Sequence, residues 1–328
     1  TSLYKISLQN EALLQSTKLD GFEPIIIKGE NTRNLRPTLF DFLAHRSLAY
    51  FVTDENDLTK PAYRFTLHDD KIFAPANEFI ASKFTTKDTA SLQFNALQLL
   101  QQILQFHLAD EKPDALLDAD FIRLNFVNEY GTQPQKEKLY EAALQHIETK
   151  YSNHPAAAEA MYIRANMYYG NGTKEEDEKL INQYEIKRAK ELCDAAIAKF
   201  PGSTGSINCA NLLQQILQPS LEVTTEKVNL PNQPFRSLIQ YKNTPTVYFR
   251  IIKVSIEEIK KLEQNEDNKM WVRITALKPV KSWQADMPDL KDFQQHTVEI
   301  KIDELSNGTY YLLASINKSF GIKKNIIT

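Results

Sequence analysis

The sequence predicts a multidomain chain, α first and β after: a helical-hairpin, tetratricopeptide-like domain over residues 1–219, then a two-sheet β-sandwich over residues 220–328. Three observations lead there. Up to Pro219 the apolar residues recur every three to four positions in long runs, and beyond it they alternate in short bursts such as Thr246–Ile251 and Thr309–Leu313. An internal echo at an offset of 49 residues pairs Leu144 with Cys193, Ile147 with Ala196, Tyr151 with Phe200, and Ala160 with Cys209. A length of 328 residues with 42% hydrophobic content favours two cores over one.

Residues 4–15 have a short amphipathic helical pattern, and Pro24–Ile27 an extended one. A helix start falls at Arg36-Pro37-Thr38, where a proline this early forfeits no hydrogen bond. Leu39, Phe40, Leu43, Ala44, Leu48 and Phe51 form its apolar stripe. Residues 55–88, with Pro61 and Pro75, read as irregular apart from a short extended element near Tyr63–Leu67. Helices resume over 89–109, 114–130 and 134–151, lengths that suit stacked antiparallel hairpins.

Each copy of the echo is a helix closed by an aromatic, a proline-containing turn and a second helix, as in tetratricopeptide-type repeats. The period of those repeats is ~34 residues, and the surplus falls on the polar stretch from Gly170 to Gln183, an insertion within one repeat. Past Pro219 the expected strands are 221–225, 235–241, 246–254, 270–277, 295–302 and 308–316. Ser255 and Glu258 form a capping signature that starts a short helix running to Glu263. Six or seven short strands with polar turns favour a sandwich over a ferredoxin-like layer.

Net charge is −3, with 23 basic and 29 acidic residues up to position 220 and 16 and 13 after it. Neither half has the concentrated basic face that a nucleic-acid partner requires. The longest apolar stretches fall far short of the ~20 residues of a membrane span. Because the chain starts at Thr1 and shows no apolar leader, a processed piece without its targeting signal is expected.

No His-Glu-x-x-His, Gly-x-Ser-x-Gly, phosphate loop or dinucleotide fingerprint occurs, so no catalytic, cofactor-binding or metal-ligating residue is assigned. Asp41, His45 and Arg46 form the best catalytic-looking polar cluster, since Asp41 four residues ahead could orient His45 on one helix face. A local hydrogen bond within a helix explains them more economically. Asp118, Asp120 and Arg123 read equally well as a solvated helix face. Cys193 and Cys209 lie eight residues either side of Pro201, level across a helical hairpin, so a disulfide and two buried thiols are both open. Asn171-Gly172-Thr173 and Asn307-Gly308-Thr309 read as turns.

Three segments together resemble the N-terminal region of bacterial alpha-2-macroglobulin-family proteins of the Bacteroidetes type: Arg36 to Arg46, Phe235 to Asn243, and Gly308 to Ala314. The resemblance implies an immunoglobulin-like, macroglobulin-type sandwich and a helical N-terminal extension. It also implies a periplasmic or cell-envelope location, lipid anchoring through a missing segment, and protein partners: the remaining macroglobulin domains, envelope proteins or proteases. An exported chain would favour the Cys193–Cys209 disulfide. Asp88-Thr89-Ala90 resembles an acceptor for O-linked glycans of such envelope proteins. The family's Cys-x-Glu-Gln thioester is missing, because Cys193 precedes Asp194 and Cys209 precedes Ala210. The function expected is a non-catalytic docking module in a protease-trapping assembly. The alternatives are a free-standing helical-repeat protein binding envelope oligosaccharides or peptides, and a hydrolase built on Asp41 and His45.

Overall fold

A computed structural model describes residues 2–27, 29, 32–53, 62–176, 179–226, 228–263, 267–321 and 325–327. Helices precede sheets, as expected. The chain divides into two compact units: Thr1–Met161 with Ser203–Gly205, and Tyr162–Gly202 with Ser206–Thr328. Helix gives way to strand between Leu217 and Ser220, but the units themselves divide near residue 161.

In the first unit the expected helix over 4–15 is two short ones, α1 (Ser2–Ser7) and α2 (Glu11–Ser16), because Asn10 between them adopts φ 62°. The stretch expected to be extended at Pro24–Ile27 is a turn, with Ile25 80% and Ile27 99% exposed. Thr38 caps α3 (Leu39–Phe51) through a reciprocal capping box with Asp41. Then follow α4 (Ala76–Ala81), α5 (Leu92–His107), capped by Ser91, α6 (Asp114–Tyr130) and α7 (Lys136–Lys150). Part of the expected irregular segment, residues 55–61, lies outside the described residues; the rest contains a 3-10 turn at Asp70–Phe73 as well as α4. Helices α3 and α6 both pack on α5, which buries Leu97, Leu100, Ile103 and Leu104.

Helix α8 (Ala157–Gly172) runs across the division. A two-residue pairing, β1 (Glu175–Glu176) with β2 (Lys179–Leu180), separates it from α9 (Glu185–Lys199) and α10 (Thr204–Leu217). Both bounds of α9 fall 49 residues after those of α7, so the echo marks equivalent helices in sequence. Gly205 permits one close approach in the first unit: a Cβ there would lie 2.2 Å from the backbone carbon of Ala158.

The second unit holds the sheets. β3 (Ser220–Thr225), β4 (Phe235–Lys242) and β7 (His296–Ile302) form one; β6 (Lys281–Asp286), β5 (Thr246–Val254), β8 (Thr309–Ser315) and β9 (Asn325–Ile327) form the other in that spatial order, every pairing antiparallel. Leu221, Val223 and Ile239 from the first sheet share a core with Val247, Phe249 and Leu312 from the second. The opposite face of the second sheet, with Ile252, Val254, Tyr311 and Leu313, is also buried.

That face is covered by α11 (Ile256–Glu263) and α12 (Asp267–Ala276). Helix α11 starts as expected, with Ser255 N–H donating to Glu258 Oε2 at 2.7 Å and Glu258 N–H donating to Ser255 Oγ at 3.2 Å. The expected strand over 270–277 is instead most of α12. Trp271 and Ile274 are buried together while Val272 is 67% exposed, a helical spacing that β-branched residues had disguised as a strand. Trp271 Nε1 donates to Phe320 O at 2.8 Å, and Arg250 stacks on the Phe320 ring at 4.1 Å. The strand over 281–286 was missed, since Lys281-Ser282-Trp283-Gln284 shows only one strongly apolar residue. No helix among the described residues is long and apolar enough to cross a membrane.

Phe249 is buried at the centre of this core and stacks on Trp283 with ring centroids 5.0 Å apart. Phe249→Ala is expected to destabilise the second unit by roughly 3–5 kcal/mol. Both tryptophans, Trp271 and Trp283, lie in that unit, so denaturant unfolding followed by tryptophan fluorescence reads its stability directly. An unchanged midpoint would show that the two sheets do not share the core described.

Candidate functional site

The sequence cluster Asp41, His45 and Arg46 is not assembled as a catalytic group. Asp41 is the third residue of α3 and fully buried, with Oδ2 accepting from Thr38 N–H at 2.9 Å and Thr38 Oγ1 at 2.7 Å. Its Oδ1 faces Nε2 of His107, 2.8 Å away, rather than His45. His107 Nδ1 lies 2.7 Å from Asp110 Oδ2. With a carboxylate at each ring nitrogen, both nitrogens are donors and the ring is an imidazolium. Burial disfavours this cation, but the hydrogen bonds and charges of Asp41 and Asp110 outweigh it and raise the His107 pKa. Helix polarity agrees: Asp41 sits at the N-terminus of α3 and His107 at the C-terminus of α5.

His45 behaves in the opposite sense. Burial first, then the nearby Arg36 charge, lower its pKa to about 4, so it is neutral near pH 7. Arg36 pairs with Asp118 at 3.3 Å, and Asp118 is itself pushed up by burial against that pairing. Arg46 is exposed. The reading of Asp120 and Arg123 as a solvated face is overturned. Arg123 is 1% exposed, donates through Nε to Asp120 Oδ1 at 2.7 Å and through Nη1 to the Ile72 carbonyl at 2.6 Å, and lies over the Phe79 ring. These groups tie helices together beneath the surface.

Cys193 and Cys209 are both buried and face each other as thiols, without a disulfide, across the α9–α10 hairpin. A hydrogen bond with the Cys209 thiol lowers the Cys193 pKa, against burial and the Asp194 charge, which raise it. The sequence spacing correctly brings the two together.

A second polar node, unseen in the sequence, occupies the sheet-bearing unit. Asp292 is buried; its Oδ2 accepts from Gln183 Nε2 at 2.7 Å, and its Oδ1 accepts from Gln294 N–H at 3.1 Å and faces His296 Nε2 at 2.8 Å. Gln294 Nε2 donates onward to the Gly172 carbonyl at 2.7 Å and the Gln183 carbonyl at 3.2 Å. Burial raises the Asp292 pKa, but these hydrogen bonds prevail and lower it. Lys291 and Phe293 on either side are left-handed, at φ 58° and 60°. Tyr241 donates to the Pro288 carbonyl at 2.8 Å, and with Asn243, Leu290, Lys291 and His296 it borders a cavity of about 310 Å³. Thr244, on the same cavity, shares its hydroxyl proton between the Lys242 carbonyl at 2.9 Å and the Ser220 carbonyl at 3.3 Å. The node fastens residues 288–294 to the segment between α8 and α9. Its one sequence signal is the four-residue spacing of Asp292 and His296.

Among the described residues no group of three or more His, Cys, Asp or Glu side chains is placed to hold a metal ion. Comparison with known protein-family models and with curated protein sequences finds no match to this chain.

Two outcomes follow from the first node and the thiols. His107 has a raised pKa in the folded protein, so its contribution is complete below ~6.5 and is lost as pH rises through the folded value. Replacing it in His107→Gln leaves Asp41 buried without its cation, expected to lower stability by roughly 3–5 kcal/mol and to flatten that alkaline loss. Urea unfolding by circular dichroism from pH 5 to 9 reads both, and an unaltered pH profile would remove the imidazolium assignment. Refolding in an oxidising glutathione buffer is expected to join Cys193 to Cys209 and add about 3 kcal/mol, as a loop of that length allows. Mass spectrometry detects the bond, which Cys209→Ser abolishes.

Proposed function

We propose that this chain is a non-catalytic protein-docking module, the N-terminal part of a large cell-envelope alpha-2-macroglobulin-like protein that traps or inhibits proteases. The observation that carries the reading is the order of the seven strands from Ser220. The first, second and fifth form one sheet; the fourth, third, sixth and seventh form the other, across a shared core. Moving the fourth strand to the opposite sheet would give the constant-type immunoglobulin arrangement. An immunoglobulin-like, macroglobulin-type sandwich after a helical extension is what the segments Arg36–Arg46, Phe235–Asn243 and Gly308–Ala314 suggest by resemblance.

The helical half supports a tetratricopeptide-like reading through its echo. Leu144, Ile147 and Ala160 are as fully buried as their counterparts Cys193, Ala196 and Cys209, so equivalent positions do equivalent packing. The end of α10 joins the sandwich through polar contacts: Asn243 Nδ2 donates to the Ile216 carbonyl at 2.8 Å and to the Gln218 carbonyl at 3.4 Å. In this reading the buried ion pairs serve architecture, and partners meet the surface.

The protein purified in its native, full-length form from envelopes tests the reading when mixed with trypsin at stoichiometric ratio. A trap is expected to co-elute with the protease in gel filtration and cut its activity on a large protein substrate at least tenfold, leaving activity on a small peptide substrate intact. Protease that elutes separately and digests both substrates at full rate would overturn the proposal.

A further inference from the structure

Helix α10 is unusual for an exposed helix: its fourteen residues include no Asp, Glu, Lys or Arg, whereas its hairpin partner α9 carries seven of them. Asparagine is among the weaker helix formers, yet Asn211 lies inside α10 and Asn166 inside α8. A choice that weakens the helix without a packing return marks positions kept for another purpose. These residues converge. Tyr162 and Asn166 on α8, with Asn208, Asn211, Leu212 and Gln215 on α10, line one groove of about 160 Å³. Leu212 is buried at its base, and Asn166, Asn211 and Gln215 are exposed along it. Those three carboxamides have no hydrogen-bond partner among the described residues.

We propose that this groove binds an uncharged, extended peptide segment of a partner protein through its main chain. A carboxamide offers one donor edge and one acceptor side by side, the complement of a peptide group, and so reads backbone without regard to side chain. Asn211 and Gln215 are one helical turn apart, ~6 Å along the axis. Alternate residues of an extended strand repeat at ~6.8 Å. Successive same-side peptide groups can therefore meet successive carboxamides. With no charged lining residue, the groove gives no attraction to acidic or basic segments. A sugar ring would call on an exposed aromatic platform, and Tyr162 is half-buried. The site deepens the docking reading by naming its surface, and it does not need membership of a macroglobulin assembly.

The test uses the full chain, immobilised, to select from a phage-displayed library of random dodecapeptides, with affinities of the synthetic peptides then measured by fluorescence polarisation. Selected peptides are expected to bind at least tenfold more weakly to Asn211→Ala/Gln215→Ala, and to lose as much when their central amides are N-methylated. The variant replaces two exposed residues by a stronger helix former, so an unlowered thermal midpoint separates lost binding from lost folding. Failure to select any peptide, or peptides that bind the variant unchanged, overturns the proposal. So does a neutral oligosaccharide array that binds the chain and loses it in the variant. A failed selection with protease capture intact removes the groove and leaves the trapping role; the reverse pattern does the opposite.

Discussion

Strands β5 and β8 are buried on both faces, and that constraint organises the sheet-bearing unit. A two-sided strand must find apolar cover for Val247, Phe249 and Ile251 on one side and for Ile252 and Val254 on the other. The three-stranded sheet supplies the first cover. The second has to come from elsewhere in the chain, and α11 and α12, inserted between β5 and β6, supply it. Without that insertion the back face of β8, with Tyr311 and Leu313, would stand in water.

The same economy governs the buried charges. Each is answered by a side chain close by, on another helix for Asp41 with His107, on the same helix for Asp120 with Arg123, and four residues on for Asp292 with His296. Breaking such a pair is far worse than never having buried it, because the remaining charge keeps its desolvation penalty. The carboxylates therefore act as registration pins. Asp41 fixes the start of α3 against the end of α5, and Asp292 fixes residues 288–294 against the segment that precedes α9.

Local features were legible from sequence and distant ones were not. The cap at Ser255 involves residues three apart, so spacing alone revealed it, and Pro37 marked the start of α3, although the Thr38–Asp41 capping box there went unread. The thiols at Cys193 and Cys209 followed from hairpin symmetry about Pro201. His107 as the partner of Asp41 could not be read, because 66 residues separate them and the four-residue spacing pointed to His45 instead. Helix α12 was misread because Trp271, Val272, Ile274 and Thr275 favour strands intrinsically. Only the sheet beneath shows that Trp271 and Ile274 must point the same way. Arg123 looked solvated for a similar reason: nothing near it in sequence announces the Ile72 carbonyl or the Phe79 ring.

The left-handed backbone at Lys291 and Phe293 has a bearing on the order in which the protein assembles. Each such residue costs roughly 1–2 kcal/mol on its own, and the acceptors and donors that hold the segment there, the Gly172 carbonyl and the Gln183 side chain, lie more than a hundred residues earlier. A ribosome releases those helices first. The mould is thus waiting when residues 288–294 emerge, and a circularly permuted chain that made the strands before the helices would have to hold an unfavourable loop with nothing to press it against.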